Sequence, residues 1–130
     1  MPKKKATRSQ GQSRAQITMR ESDRQSADEL AELFGIATIG DVVRLSANML
    51  AGKIANNDAQ TADQIGYQPD DSPTSQTTIW LRPQDRRALE TVQRHYSLDS
   101  MAATVRFSIA WLGWFFDQTK FIPPHDPSRD

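Results

Sequence analysis

Polar and apolar positions alternate in the stretch QITMR, residues 16–20. Ile17 and Met19 fall on one face and Gln16, Thr18 and Arg20 on the other, the signature of a half-buried strand. The spacing then lengthens. ESDRQSADELAELFG places Ala27, Leu30, Ala31, Leu33 and Phe34 at helical intervals, and Gly35 is suited to end that helix. Thr38 can cap a second helix, on which Ile39, Val42, Val43, Met49 and Leu50 share a face. The order recurs downstream. TTIWLR alternates, Pro83 suits the first turn of a helix, and Leu89, Val92 and Tyr96 form its apolar stripe. Ser100 can cap a last helix carrying Met101, Val105, Trp111, Leu112, Phe115 and Phe116. One residue breaks the pattern: Trp80 sits among Thr78 and Arg82 on the face expected to be polar.

Five segments follow: a disordered basic arm (1–14), a strand–helix–helix unit (15–55), a flexible linker (56–76), a second such unit (77–120) and a proline-rich tail (121–130). The linker is rich in Asn, Asp, Gln, Ser and Thr, with Ile65 and Tyr67 its only large apolar residues. The two units are copies. A shift of 62 positions superposes Ile17 on Ile79, Arg20 on Arg82, Asp23 on Asp85, Arg24 on Arg86, Val43 on Val105, Arg44 on Arg106, Ser46 on Ser108 and Leu50 on Leu112. Trp80 takes the place of Thr18. One unit of about 40 residues would leave its strand unpaired and bury too little surface. Two copies that pair their strands antiparallel and interlock their four helices solve both problems. The fold class expected is α+β, mostly helical, with Thr18 facing Trp80 near the centre of the two-stranded ribbon.

Net charge is zero, with 16 basic and 16 acidic residues, but it is unevenly spread. Lys3, Lys4, Lys5, Arg8, Arg14 and Arg20 precede any acidic residue, while Asp58, Asp63, Asp70 and Asp71 gather in the linker. There is no cysteine, which removes disulfides and thiolate metal sites, and no apolar run approaches the ~20 residues that span a bilayer. The expectation is a cytoplasmic protein without membrane contact.

QITMRESDRQSADELAELFGIATIGDVVRLS resembles a ribbon-helix-helix DNA-binding unit of the Arc and MetJ repressor class, and TTIWLRPQDRRALETVQRHYSLDSMAATVRFS resembles a second one. Two units in tandem are similar to the TraY-type proteins of conjugative plasmids. The resemblance implies a single-chain pseudo-dimer that places its ribbon in the major groove of double-stranded DNA. Gln16, Thr18, Arg20, Thr78, Trp80 and Arg82 are then the base-reading side chains. Helix N-termini at Thr38 and Ser100, with Lys3, Lys4 and Lys5, are the phosphate contacts. Because the copies differ, an asymmetric or direct-repeat-like site is expected rather than a perfect palindrome.

Plainer roles stand beside these. Arg20 and Arg82 can pair with Asp23 and Asp85, Thr38 and Ser100 can be ordinary caps, and Arg44 and Arg106 are expected in structural contacts. Trp111, Trp114, Phe115 and Phe116 exceed the bulk of their counterparts in the first unit. They either enlarge the core or form a patch for a protein partner, such as a second copy of the chain. No enzyme is expected: His95 lies beside an apolar stripe, His125 in the tail, and no nucleophile–base pair, metal set, cofactor motif or phosphate loop is recognisable. The functional expectation is a transcriptional repressor or an accessory protein of plasmid transfer or maintenance. The alternatives are an antitoxin whose residues 111–122 engage a toxin, and an interaction module that has lost DNA binding.

Overall fold

A computed structural model describes residues 12–120. In chain order it contains β1 (Ser13–Arg20), α1 (Glu21–Phe34), α2 (Ile39–Ala55), α3 (Ala62–Ile65), β2 (Thr74–Leu81), α4 (Pro83–Tyr96) and α5 (Met101–Thr119). It is an α+β arrangement, mostly helical, with a two-stranded antiparallel sheet and five helices. The fifth is the short α3, inside the segment expected to be a flexible linker. Helix α4 begins and ends 62 residues after α1, and α5 begins 62 residues after α2, so the sequence repeat is also a repeat of structure.

The local signals act where they stand. Gly35 closes α1 with φ 69°, a left-handed conformation that a Cβ disfavours. Thr38 and Ser100 cap α2 and α5 by accepting from the Asp41 and Ala103 amides at 3.1 and 3.0 Å. Pro83 opens α4, where a missing N–H costs nothing.

Strand residues Ile17, Met19, Ile79 and Leu81 all point inward and are buried, each contributing about 1.5–3 kcal/mol of apolar burial. They meet Val42, Val43, Ala47 and Leu50 of α2 and Val105, Ile109 and Leu112 of α5 in one core. Leu89 and Val92 of α4, and Leu30 and Phe34 of α1, join it from the flanks.

Two boundaries differ from expectation. Ser13 and Arg14, assigned to the arm, belong to β1, and β2 starts at Thr74 rather than at residue 77. Strand pairing carried both strands outward beyond the apolar alternation. The segment between the units, expected to be a flexible linker, makes contacts with both of them. Ile65 is buried, the Gln60 carbonyl accepts from Tyr96 Oη at 2.6 Å, and Gln60 Oε1 accepts from Trp111 Nε1 at 3.0 Å. On the other half, Tyr67 Oη donates to Asp23 at 2.9 Å, and the Pro73 carbonyl accepts from the Glu21 amide at 2.8 Å. The segment thus bonds to the second half at Gln60 and to the first half from Tyr67 to Pro73.

Candidate nucleic-acid interface

The ribbon pairs Arg14 with Trp80, Gln16 with Thr78, and Thr18 with Gln76. Under the shift of 62, Gln16 is the counterpart of Thr78, so this pair sits on the axis relating the halves. Thr18 and Trp80, expected to face each other there, lie instead two residues from that pair on opposite sides of it. The expectation placed the centre two residues too far along because it did not include Ser13, Arg14 and residues 74–76 in the strands.

Outward-facing side chains are therefore Arg14, Gln16, Thr18 and Arg20 from β1 and Thr74, Gln76, Thr78 and Trp80 from β2. Arg14, Gln16, Gln76 and Thr78 are exposed, while Thr18 and Trp80 are half-buried. Two cross-strand bonds tie the face together: Thr78 Oγ1 donates to Gln16 Oε1 at 3.2 Å, and Gln76 Nε2 donates to Thr18 Oγ1 at 2.9 Å. Neither strand carries a carboxylate.

Arginines surround the ribbon, and most are engaged. Arg82 makes a two-point contact with Asp85, Nε to Oδ2 and an Nη to Oδ1, both at 3.1 Å. Arg20 stands 3.9 Å from Asp23. Both expected base readers thus rest on the carboxylates that also accept the Arg20 and Arg82 amides at the helix starts, at 3.0 and 2.8 Å. Arg44 donates to the Trp80 carbonyl, and Arg106 to the Thr18 carbonyl. Both strands of a two-stranded sheet are edges, and this symmetrical pair of arginines occupies a backbone acceptor on each. Arg24 donates to Thr77 Oγ1 and Arg86 to Ser13 Oγ, so these too brace the ribbon from the first turns of α1 and α4. Arg14 makes no ion pair with any described residue.

The helix N-termini are unequal. Asp41 lies in the first turn of α2, accepting from Thr38 Oγ1 at 2.9 Å and from Arg44. The first turn of α5 has no acidic residue, Ala103 holding the place of Asp41. At α2 an anion meets a carboxylate within the first turn, whereas at α5 the nearest in sequence is the exposed Asp99, just before the cap. A groove of about 460 Å³ separates α2 from the ribbon, lined by Thr38, Gly40, Arg44, Thr78 and Trp80. Trp80 lines this groove beside the start of α2.

The two buried aspartates shape the site from beneath. Burial opposes the charged form of Asp85, but hydrogen bonds from Arg82 and Asn48 outweigh it and hold its pKa below the ordinary carboxylate value. Asn48 Nδ2 reaches Asp85 Oδ1 at 3.0 Å. On the other half Tyr67 supplies the donor to Asp23, and burial together with this bond pushes its hydroxyl up to about 12.

Of the expected partner patch, Trp111 is excluded: it is fully buried, stacked on Phe115 at 4.9 Å between centroids. Phe116 packs edge-on to Phe34 at 5.6 Å, and Trp114, Phe115 and Phe116 are half-buried. Trp114 and Phe116 line a groove between α1, α3 and α5 together with Leu33, which is 48% exposed. Lys3, Lys4 and Lys5 lie outside the described residues, as do His125 and the tail. Arg14 and Gln76 are the surface residues that sequence pattern missed. They are counterparts under the shift of 62, a relation visible in the sequence but hidden by assigning both to flanking segments.

Among the described residues no group of acidic or histidine side chains could hold a metal ion, and no single helix is long and apolar enough to cross a membrane. No family model, curated protein or solved structure matches the chain.

Proposed function

We propose that the chain is a tandem ribbon-helix-helix protein, a single-chain pseudo-dimer that binds double-stranded DNA through its ribbon. It acts in this reading as a transcriptional repressor or as an accessory protein of plasmid transfer or maintenance. One observation carries it: the exposed face of the ribbon is a row of Arg, Gln, Thr and Trp side chains with no carboxylate on either strand. A two-stranded ribbon fits the major groove of B-DNA, where these side chains match base-edge donors, acceptors and thymine methyls. Arg20 and Arg82 must leave Asp23 and Asp85 to reach a base, so Arg14, Gln16, Gln76 and Thr78 carry the reading. Thr38 and Ser100 each hold a helix N-terminus that can meet a phosphate, with Asp41 beside the first and Asp99 beside the second.

Gel retardation of mixed-sequence and genomic duplexes by the full chain, from about 50 to 200 mM salt, tests this. Binding should weaken with salt, log Kobs falling by ~0.9 per log unit of salt for each phosphate contact. Absence of retardation at the lowest salt would overturn it. A second reading, an interaction module or antitoxin, draws support from the groove beside Leu33, Trp114 and Phe116. A protein that binds no DNA but co-purifies stoichiometrically with one partner would favour that one.

A further inference from the structure

We infer that the two sides of the ribbon centre read different bases, a guanine on the Arg14 side and an adenine on the Gln76 side. The chain then seats on a non-palindromic duplex in a single orientation. This rests on the DNA-binding reading above and specifies its substrate.

The register supplies the first ground. With Gln16 and Thr78 on the axis, the pair Arg14 and Trp80 lies two residues to one side and the pair Thr18 and Gln76 two residues to the other, where Arg20, turned to Asp23, and Thr74 follow. Arg14 and Gln76 occupy equivalent places, because the shift of 62 that relates the halves carries one onto the other. In a pair of identical chains these would be the same residue, and the two half-sites would match. Here one is a planar five-donor cation and the other an amide with both donors and an acceptor.

The second ground is what remains unspent. Arg20, Arg44, Arg82 and Arg106 are each held by a carboxylate or a strand carbonyl, whereas Arg14 is exposed and makes no ion pair with a described residue. A guanidinium so placed matches guanine O6 and N7. Gln76 gives one amide N–H to Thr18 Oγ1 at 2.9 Å. Its second N–H and its carbonyl are left for adenine N7 and N6, and the bond to Thr18 orients them. The neighbours reinforce the difference: a half-buried indole lies opposite Arg14, and a small hydroxyl opposite Gln76.

The test is selection of bound duplexes from a random pool, using the full-length chain, Arg14→Gln and Gln76→Arg. Both substituted positions are exposed, and circular dichroism checks that each variant keeps its helix content. The wild-type consensus should carry G and A at positions related by its centre, without two-fold symmetry there. Arg14→Gln should convert the guanine to adenine, and Gln76→Arg the adenine to guanine, each reversing a preference of roughly ten- to hundredfold. A palindromic wild-type consensus, or a variant consensus unchanged at these positions, would overturn this inference and leave DNA binding standing. A pool from which no duplex is bound at low salt would overturn both, and one bound without enrichment would overturn this inference alone.

Discussion

Asp23 and Asp85 occupy equivalent places at the starts of α1 and α4, and each is buried. Their second donors come from different sources. Asp85 is met by Asn48, from the helix of the opposite half. The residue equivalent to Asn48 is Ala110, which has nothing to donate, and Tyr67 from the intervening segment meets Asp23 instead. Helix starts show the same substitution of parts. The first amide of α1, on Glu21, bonds to the Pro73 carbonyl, while the equivalent position in α4 is Pro83, which has no amide. Equivalent buried carboxylates are thus met by a side chain of the opposite unit in one case and by the intervening segment in the other. The requirement persists, because an unsatisfied buried carboxylate or amide costs about 1–3 kcal/mol.

The largest difference between the halves should appear at Trp111 and its counterpart Met49. Trp111→Ala is expected to cost about 3–5 kcal/mol by denaturant unfolding, because the indole is fully buried and bonded to Gln60. Met49→Ala, at a half-buried site, should cost under ~2 kcal/mol. Equal losses would mean that the halves are packed alike.

Asp85→Ala comes next. It strands Asn48 and the Arg82 amide and should cost about 2–3 kcal/mol at neutral pH. Because the folded-state pKa of Asp85 is depressed, its contribution is present above the unfolded value of about 3.9. It disappears as pH falls from there through the folded value. Urea midpoints of wild type and variant should therefore converge below about pH 4, and a gap that persists in acid would show that the carboxylate charge is not what matters.

Tyr67→Phe should cost about 1–1.5 kcal/mol at neutral pH through the lost bond to Asp23. Its pH dependence has the opposite limb. The folded-state pKa of Tyr67 is raised from about 10 to about 12, so its contribution is complete below 10 and is lost as pH climbs toward 12. Wild type should lose more stability than Tyr67→Phe over that interval. Identical alkaline profiles would refute the bond.

The smallest effect should have opposite signs in the two halves. Ser46 Oγ donates to the Val43 carbonyl at 3.1 Å, whereas the equivalent Ser108 Oγ is buried without a partner among the described residues. Ser46→Ala should destabilise by about 0.5–1 kcal/mol, and Ser108→Ala should be neutral or stabilise by a similar amount. Thermal midpoints moving in the same direction would contradict this.

Much of the architecture was legible because its signals are local. Both strand cores, the Thr38 and Ser100 caps, Gly35 and the repeat at 62 each depend on a few neighbouring residues, and the elements begin where those residues stand. What escaped depends on contacts distant in sequence. The register centres on Gln16 and Thr78 because the strands pair beyond their apolar alternation, through Ser13, Arg14 and residues 74–76, which carry no apolar signal. The intervening segment reads as a linker by composition, and only its partners Asp23, Tyr96 and Trp111 give it a path. Trp111 could not be told from Trp114 by period alone, since both lie on the same apolar helix. The site was legible in part for the same reason. Gln16, Thr18, Thr78 and Trp80 were found from alternation, while Arg14 and Gln76 needed the register.

The path of that segment bears on what two molecules can do to each other. Any protein built from paired halves on one chain runs the risk that a half from one molecule completes another, giving exchanged dimers or longer chains. Exchange needs a hinge, and the natural one is the connection between halves. Here the Gln60 end of that connection is bonded to Tyr96 and Trp111, and the Tyr67–Pro73 end to Asp23 and Glu21. Opening it at either end releases bonds to one half, and swinging it free releases both. Each chain is therefore biased to close on itself, and it can present a complete ribbon at concentrations too low for two separate subunits to meet.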